Sequence, residues 1–290
     1  MNITLSVHTL APLAHGGFGP STGNVVPCRR MAVATPDGLQ YVPCVSGAAL
    51  RGVVRRIVMR HVLDAVALDR SNVPGWDRLY AALCCGGHLD QAAAKHVDPD
   101  ARRTLRAALP PLSLLGASLY SYGLPGRVSP GILWPVTRET VEWGLVIGDT
   151  DLSLADLTEE VGLARHVDRD EMDSVVAGVT PMPRTVEAII AGVELQSYLV
   201  FARGSTELEI ASFLWGCARV THLGGHANAG LGRVEVRVHG RTGIPDESAF
   251  DAWLDEHAGA IREALLALAD TLGAAPRKAK KAKKAKEPTP

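Results

Sequence analysis

The stretch VSGAALRGVVRR at residues 45–56 decides how this chain is read, because it specifies a helix start and a positive surface at the same place. Ser46 is an N-cap residue, and Gly47 lets a ligand approach an opening turn whose unpaired amides and dipole favour an anion. Leu50, Val53, Val54, Ile57 and Val58 form the apolar side of this helix. Arg51 and Arg55, then Arg56 and Arg60, stand four residues apart, so two rows of guanidinium groups run along it. A second stretch, LGGHANAGLGRVEV at residues 223–236, sets Gly224, Gly225, Gly230 and Gly232 around His226 and Asn228, just before an alternating strand. That glycine density permits positive φ and close backbone approach. Read singly, the first is an ordinary helix cap and the second a tight connection; read together, they describe a protein that holds a phosphate chain.

Working outward, residues 2–10 alternate as a strand with Ile3, Leu5 and Val7 on one face, and the first helix runs from Ser46 to about Val66. Strand-like residues follow at 132–136 and 193–201, a second helix at 207–223 and a last strand at 233–239. This β-α-β-β-α-β order predicts an α+β chain with a ferredoxin-like core, the architecture also of the RNA recognition motif. Residues 1–240 form this unit, with a helical insertion at about 67–128 and a second insertion at 138–192. Residues 246–273 are expected to be a C-terminal helix, and the Lys-rich tail at 274–290, with no apolar face, is expected to be disordered.

The 290 residues, 47% of them hydrophobic, suffice for a sizeable core. No long uncharged apolar run and no basic-then-apolar N-terminus occurs, so neither a membrane partner nor a secretory signal is expected, and the cytoplasm is the expected compartment. Cys28, Cys44, Cys84, Cys85 and Cys217 form no CxxC pair, so no structural zinc, disulfide framework or other cofactor is expected. Cys84 and Cys85 read as small buried thiols. The net charge of −1 hides a strong asymmetry. Residues 277–286 hold Arg277 and six of the seven lysines, whereas residues 1–63 carry six arginines against the single acid Asp37. Eleven acids crowd residues 139–173. One basic and one acidic face suit a subunit that grips a polyanion on one side and meets proteins elsewhere. Only fourteen residues are aromatic, with no aromatic cluster on any strand, so phosphate contacts are expected to outweigh base stacking.

Four stretches stand in order: ITLSVHTLAPLAHGGFGPSTGN (3–24) leading to YVPCVSGAALRGVVRR (41–56), PPLSLLGASLYSYGLPGRVSPGILWPV (110–136), DSVVAGVTPMPRTVEAIIAGVELQSYLVF (173–201), and the Gly-rich loop. Together they resemble the RAMP superfamily of CRISPR-associated proteins, and in particular the repeating backbone subunit of multi-subunit effector complexes. The second is similar to a Leu-Phe-Gly motif, with Leu115 where Phe is common; the third resembles a projecting thumb within the second insertion. The resemblance implies a subunit that binds guide RNA (crRNA) without reading its sequence, stacks head to tail with copies of itself as a filament, and meets Cas5-like and large subunits. The target nucleic acid reaches it through the guide. The implied RNA-binding residues are His15, Ser21, Thr22, Asn24, Arg29 and Arg30 in the first loop; Ser46, Gly47, Arg51, Arg55 and Arg56 on the helix; Met182 and Arg184 at the thumb; and Gly224, Gly225, His226 and Asn228 in the Gly-rich loop.

Type III relatives carry a target-cleaving aspartate in the loop after the first strand, whereas no acid lies between Met1 and Asp37. No catalytic residue is therefore expected, and the type IV branch is the better match. A type III-like backbone subunit, or a metal-independent endoribonuclease using a histidine such as His15 or His226, are the alternatives.

Overall fold

A computed structural model describes residues 2–17, 25–89, 99–120, 122–163, 184–240 and 245–273. Ser21, Thr22, Asn24, Met182, the rest of the thumb stretch before Arg184 and the Lys-rich tail lie outside the described residues.

In chain order the elements are β1 (Asn2–Thr9), β2 (Val25–Val26), the hairpin β3 (Arg30–Thr35) and β4 (Gly38–Pro43), and α1 (Gly47–Ala65). The next stretch holds α2 (Trp76–Cys84), β5 (Gly87–Leu89), α3 (Pro99–Ala108), α4 (Pro110–Leu115), β6 (Ala117–Tyr120) and β7 (Tyr122–Leu124). Then come β8 (Val128–Pro130), β9 (Trp134–Pro135), α5 (Arg138–Glu142), β10 (Thr158–Leu163), β11 (Arg184–Ile189), β12 (Glu194–Phe201), α6 (Glu207–Ala218), β13 (Val234–His239) and α7 (Ser248–Gly273).

The main sheet has the order β13-β1-β12-β8, with β9 also pairing β12. Every pairing in it is antiparallel. With α1 and α6 as the connecting helices, this is the ferredoxin-like core. Alternation decides which face is buried: Ile3, Leu5 and Val7 of β1 and Leu195, Leu199 and Phe201 of β12 point into a core shared with Leu50, Val54 and Val58 of α1 and Phe213 and Leu214 of α6. Burying each such side chain contributes about 1.5–3 kcal/mol. At Gly216 of α6 an added β-carbon would sit 2.6 Å from Val58 Cγ2 and 2.8 Å from Val54 Cγ1, so the missing side chain lets the two helices meet.

The strand expected at 132–136 is divided. Pro130 and Pro135 have no N–H to donate, Gly131 N–H still donates to Tyr198 O of β12 (2.8 Å), and Leu133 then bridges Val45 instead. The second helix ends at Ala218 rather than Leu223, where Arg219 caps it and lays its guanidinium 3.9 Å from the centre of the Trp215 ring. The first insertion is not purely helical, since it also builds the small sheet β5-β6-β7. Cys84 is buried as expected of a small thiol, but Cys85 is exposed because it follows the last turn of α2 and faces outward.

α6 begins with a capping box: Thr206 Oγ1 accepts from Glu209 N (3.1 Å) and Glu209 Oε2 accepts from Thr206 N (2.9 Å). Buried Glu209 is neutralised by Arg127 Nη1 at 3.2 Å. α7 is fastened to the core through Asp251, which accepts from Trp215 Nε1 (2.9 Å) and contacts His61 Nε2 (2.8 Å), the His61 ring stacking on Trp215 at 4.2 Å. Among the described residues, no helix is long and apolar enough to cross a membrane.

Candidate nucleic-acid interface

The start of α1 is built by three segments that are distant in sequence. Ser46 is extended at the cap, and its Oγ accepts from Ala49 N at 3.3 Å. Ser46 N–H points to His15 Nε2 at 3.4 Å, and the hydroxyl lies 3.3 Å from the same nitrogen. His15 in turn takes Arg29 N–H on its backbone oxygen at 2.7 Å. Burial, and then the charge of Arg29, push the His15 pKa below its usual 6.5, so the ring is neutral at neutral pH and its Nε2 can accept from Ser46.

The Gly-rich loop closes on the same place. Gly225 N donates to Ala14 O at 2.8 Å, and a β-carbon on Gly224 (φ +79°) would come within 2.3 Å of that oxygen. His226 itself adopts φ +62°, opening a short 3-10 turn at Ala227–Ala229 that includes Asn228. Gly47 has a comparable reason: a β-carbon there would lie 2.0 Å from Pro130 O and 2.5 Å from Gly131 O. These glycines are thus required by backbone packing, and that packing is what brings the α1 N-terminus, His15, Arg29 and the loop of His226 together.

The arginines divide by role. Arg51, Arg55 and Arg56 all border a cleft of about 540 Å³ between α1 and the first insertion. Arg55 is only 7% exposed and donates to Leu83 O (3.4 Å) and Leu115 O (2.7 Å), tying α1 to the ends of α2 and α4. Burial, then the neighbouring charge of Arg51, pull its pKa down to about 10. Arg60 leaves this row and donates to Tyr80 Oη at 2.9 Å.

Arg30 opens β3, which pairs with β4, and Arg184 opens β11; a side-chain contact, not strand pairing, joins Arg30 to β11. Arg30 forms a two-pronged ion pair with Glu187, whose Oε2 also accepts from Cys28 N at 2.8 Å. Cys28 is pushed up to about 11 by burial and then by Glu187. Arg184 is exposed at the start of β11, opposite Leu163.

Arg102 of α3 was not among the residues expected at the interface, yet it borders the same cleft. Its sequence signal is slight: it is one of three arginines in DARRTLRAAL, and only tertiary packing faces that helix toward α1. On the outer face of the main sheet Tyr198 stands 56% exposed, and Trp134, opposite Gln196, is half-buried on the same face.

A ferredoxin-like α+β fold with a basic cleft beside the first core helix therefore defines the class of protein. The fold is that of a chain of the Type IV-B CRISPR Complex, which superposes with a TM-score of 0.60 over 88% of this chain and 98% of that one, at 17% identity. No protein-family model and no curated protein matches the sequence.

Proposed function

We propose that the chain is a guide-RNA-binding backbone subunit of a type IV CRISPR effector ribonucleoprotein. The observation that carries the reading is the convergence of the capped α1 N-terminus, the His15–Arg29 segment and the Gly224–His226 loop, in a fold like that of a type IV-B CRISPR complex chain. Helix amides, guanidinium groups and a Gly-rich backbone contact phosphates and leave base edges free, as a carrier of arbitrary guides requires. Copies of the chain stack head to tail along the RNA in this reading, with Cas5-like and large subunits completing the particle and the target nucleic acid pairing with the guide. In this reading the subunit is a scaffold without its own nuclease: Ser46 lies against the His15 ring nitrogen, and among the described residues no carboxylate contacts that ring.

The test is RNA retention. Purified wild-type protein should carry RNA of graded length, and Arg51→Glu with Arg56→Glu should lose it while remaining folded. Arg55 is left intact because it holds the insertion. Unchanged RNA content in the folded double variant overturns the assignment.

A further inference from the structure

We infer that the cleft between α1 and the first insertion is a phosphate pocket completed by Arg102, and that the phosphate it takes is in the guide backbone. The second part rests on the function proposed above; the first does not. Arg51, Arg55 and Arg56 approach from α1 and Arg102 from α3, and none of the described residues bordering the cleft is an acid. Four cations without a local carboxylate repel one another, which an anion in the space between them relieves. A second observation is independent of this count. Arg102 Nε is buried and has no hydrogen-bond partner among the described residues, and leaving a buried donor unmade is costly. A guanidinium needs oxygen acceptors, and a tetrahedral phosphate supplies several at once.

Part of one wall is backbone: Gly116 (φ +71°) and Gly126 meet so closely that a β-carbon on Gly116 would fall 2.4 Å from Gly126 N, and Leu115, Leu124 and Pro125 border the cleft beside them. Arg55, already held by two carbonyls, forms the floor, leaving Arg51, Arg56 and Arg102 to engage the ligand.

The experiment measures thermal stabilisation of the RNA-free full chain by inorganic pyrophosphate against chloride at equal ionic strength, then repeats it on RNA-loaded protein. Two variants accompany it. Arg102→Gln removes the unpaired donor, and Gly52→Asp, where a β-carbon meets only Arg56 Nη1 at 3.8 Å, places a carboxylate beside Arg56 without crowding. The expected result is a pyrophosphate shift in wild type, at least tenfold weaker apparent affinity in both folded variants, and no shift once RNA is loaded. A shift that persists undiminished with RNA bound keeps the pocket but assigns it to a free phosphate compound, overturning the guide-backbone source. No shift beyond chloride, or equal shifts in wild type and both variants, overturns the pocket itself.

Discussion

At the scale of single residues, several positions read as ligand contacts turn out to be fixed first by packing. Gly47 is needed because Pro130 O and Gly131 O occupy the space of its side chain. Gly47→Ala should therefore destabilise the fold by on the order of 2–3 kcal/mol, measured as a lowered denaturant midpoint, before any effect on binding appears. An unchanged midpoint would mean that the start of α1 can shift freely. His15 offers a pH signature. Its pKa is depressed in the folded state, so the unfolded chain takes up the proton first as pH falls below 6.5. The contribution of this residue is present above pH 6.5 and is lost as pH drops through the lower folded value. His15→Gln should flatten that part of the stability profile between neutral and mildly acidic pH; a profile identical to wild type would show that the Ser46 contact does not depend on the neutral ring.

At the scale of elements, α1 serves two tasks with one sequence. Leu50, Val54, Val58 and Val62 bury one side, and the guanidinium rows on the other divide between cleft and support. Because Arg55 is spent on Leu83 O and Leu115 O, Arg55→Ala should detach the first insertion and lower stability, whereas Arg56→Ala should leave stability within about 0.5 kcal/mol and weaken RNA retention. Thermal melts and RNA content of the two variants separate these roles; equal loss of stability in both would contradict the division. α7 packs an apolar side that includes Phe250, Leu254, Ile261 and Leu265, and Asp251 adds polar contacts to the core. Asp251→Ala removes the acceptor of Trp215 Nε1 and the partner of His61, and should cost about 1–2 kcal/mol with faster hydrogen exchange confined to α7.

At the scale of the whole molecule, charge asymmetry and the open cleft suit a subunit that binds a polyanion along one side. If the chain is an inert scaffold, assembled particles incubated with complementary labelled RNA, with or without divalent metal, should bind it and make no periodic cuts. Regular cleavage that disappears in His15→Ala or His226→Ala, while RNA binding persists, would replace the scaffold with a histidine-dependent nuclease.

The sequence by itself determined the core. Alternation in residues 2–10 and 193–201 and the apolar stripe after Ser46 are local signals, and they foretell β1, β12 and α1 to within a residue or two because each must bury one face. The β-α-β-β-α-β order then leaves the ferredoxin-like arrangement as the natural way to bury those faces together. Much of what the sequence missed depends on contacts between distant segments: β11 pairs with β2, and β5 with β6, across long stretches of chain. The hairpin β3–β4 is local, with Thr35 opposite Gly38, but its strands are mostly exposed or half-buried and show no clear apolar face. The candidate site divides in the same way. Ser46, Arg51 and the glycines were legible as residue types, but which arginine is buried and which is free was settled by where α2 and α4 end. Arg102 joins the cleft for a tertiary reason alone: packing of α3 and α4 against the core turns it toward α1, and no spacing within one segment encodes that meeting.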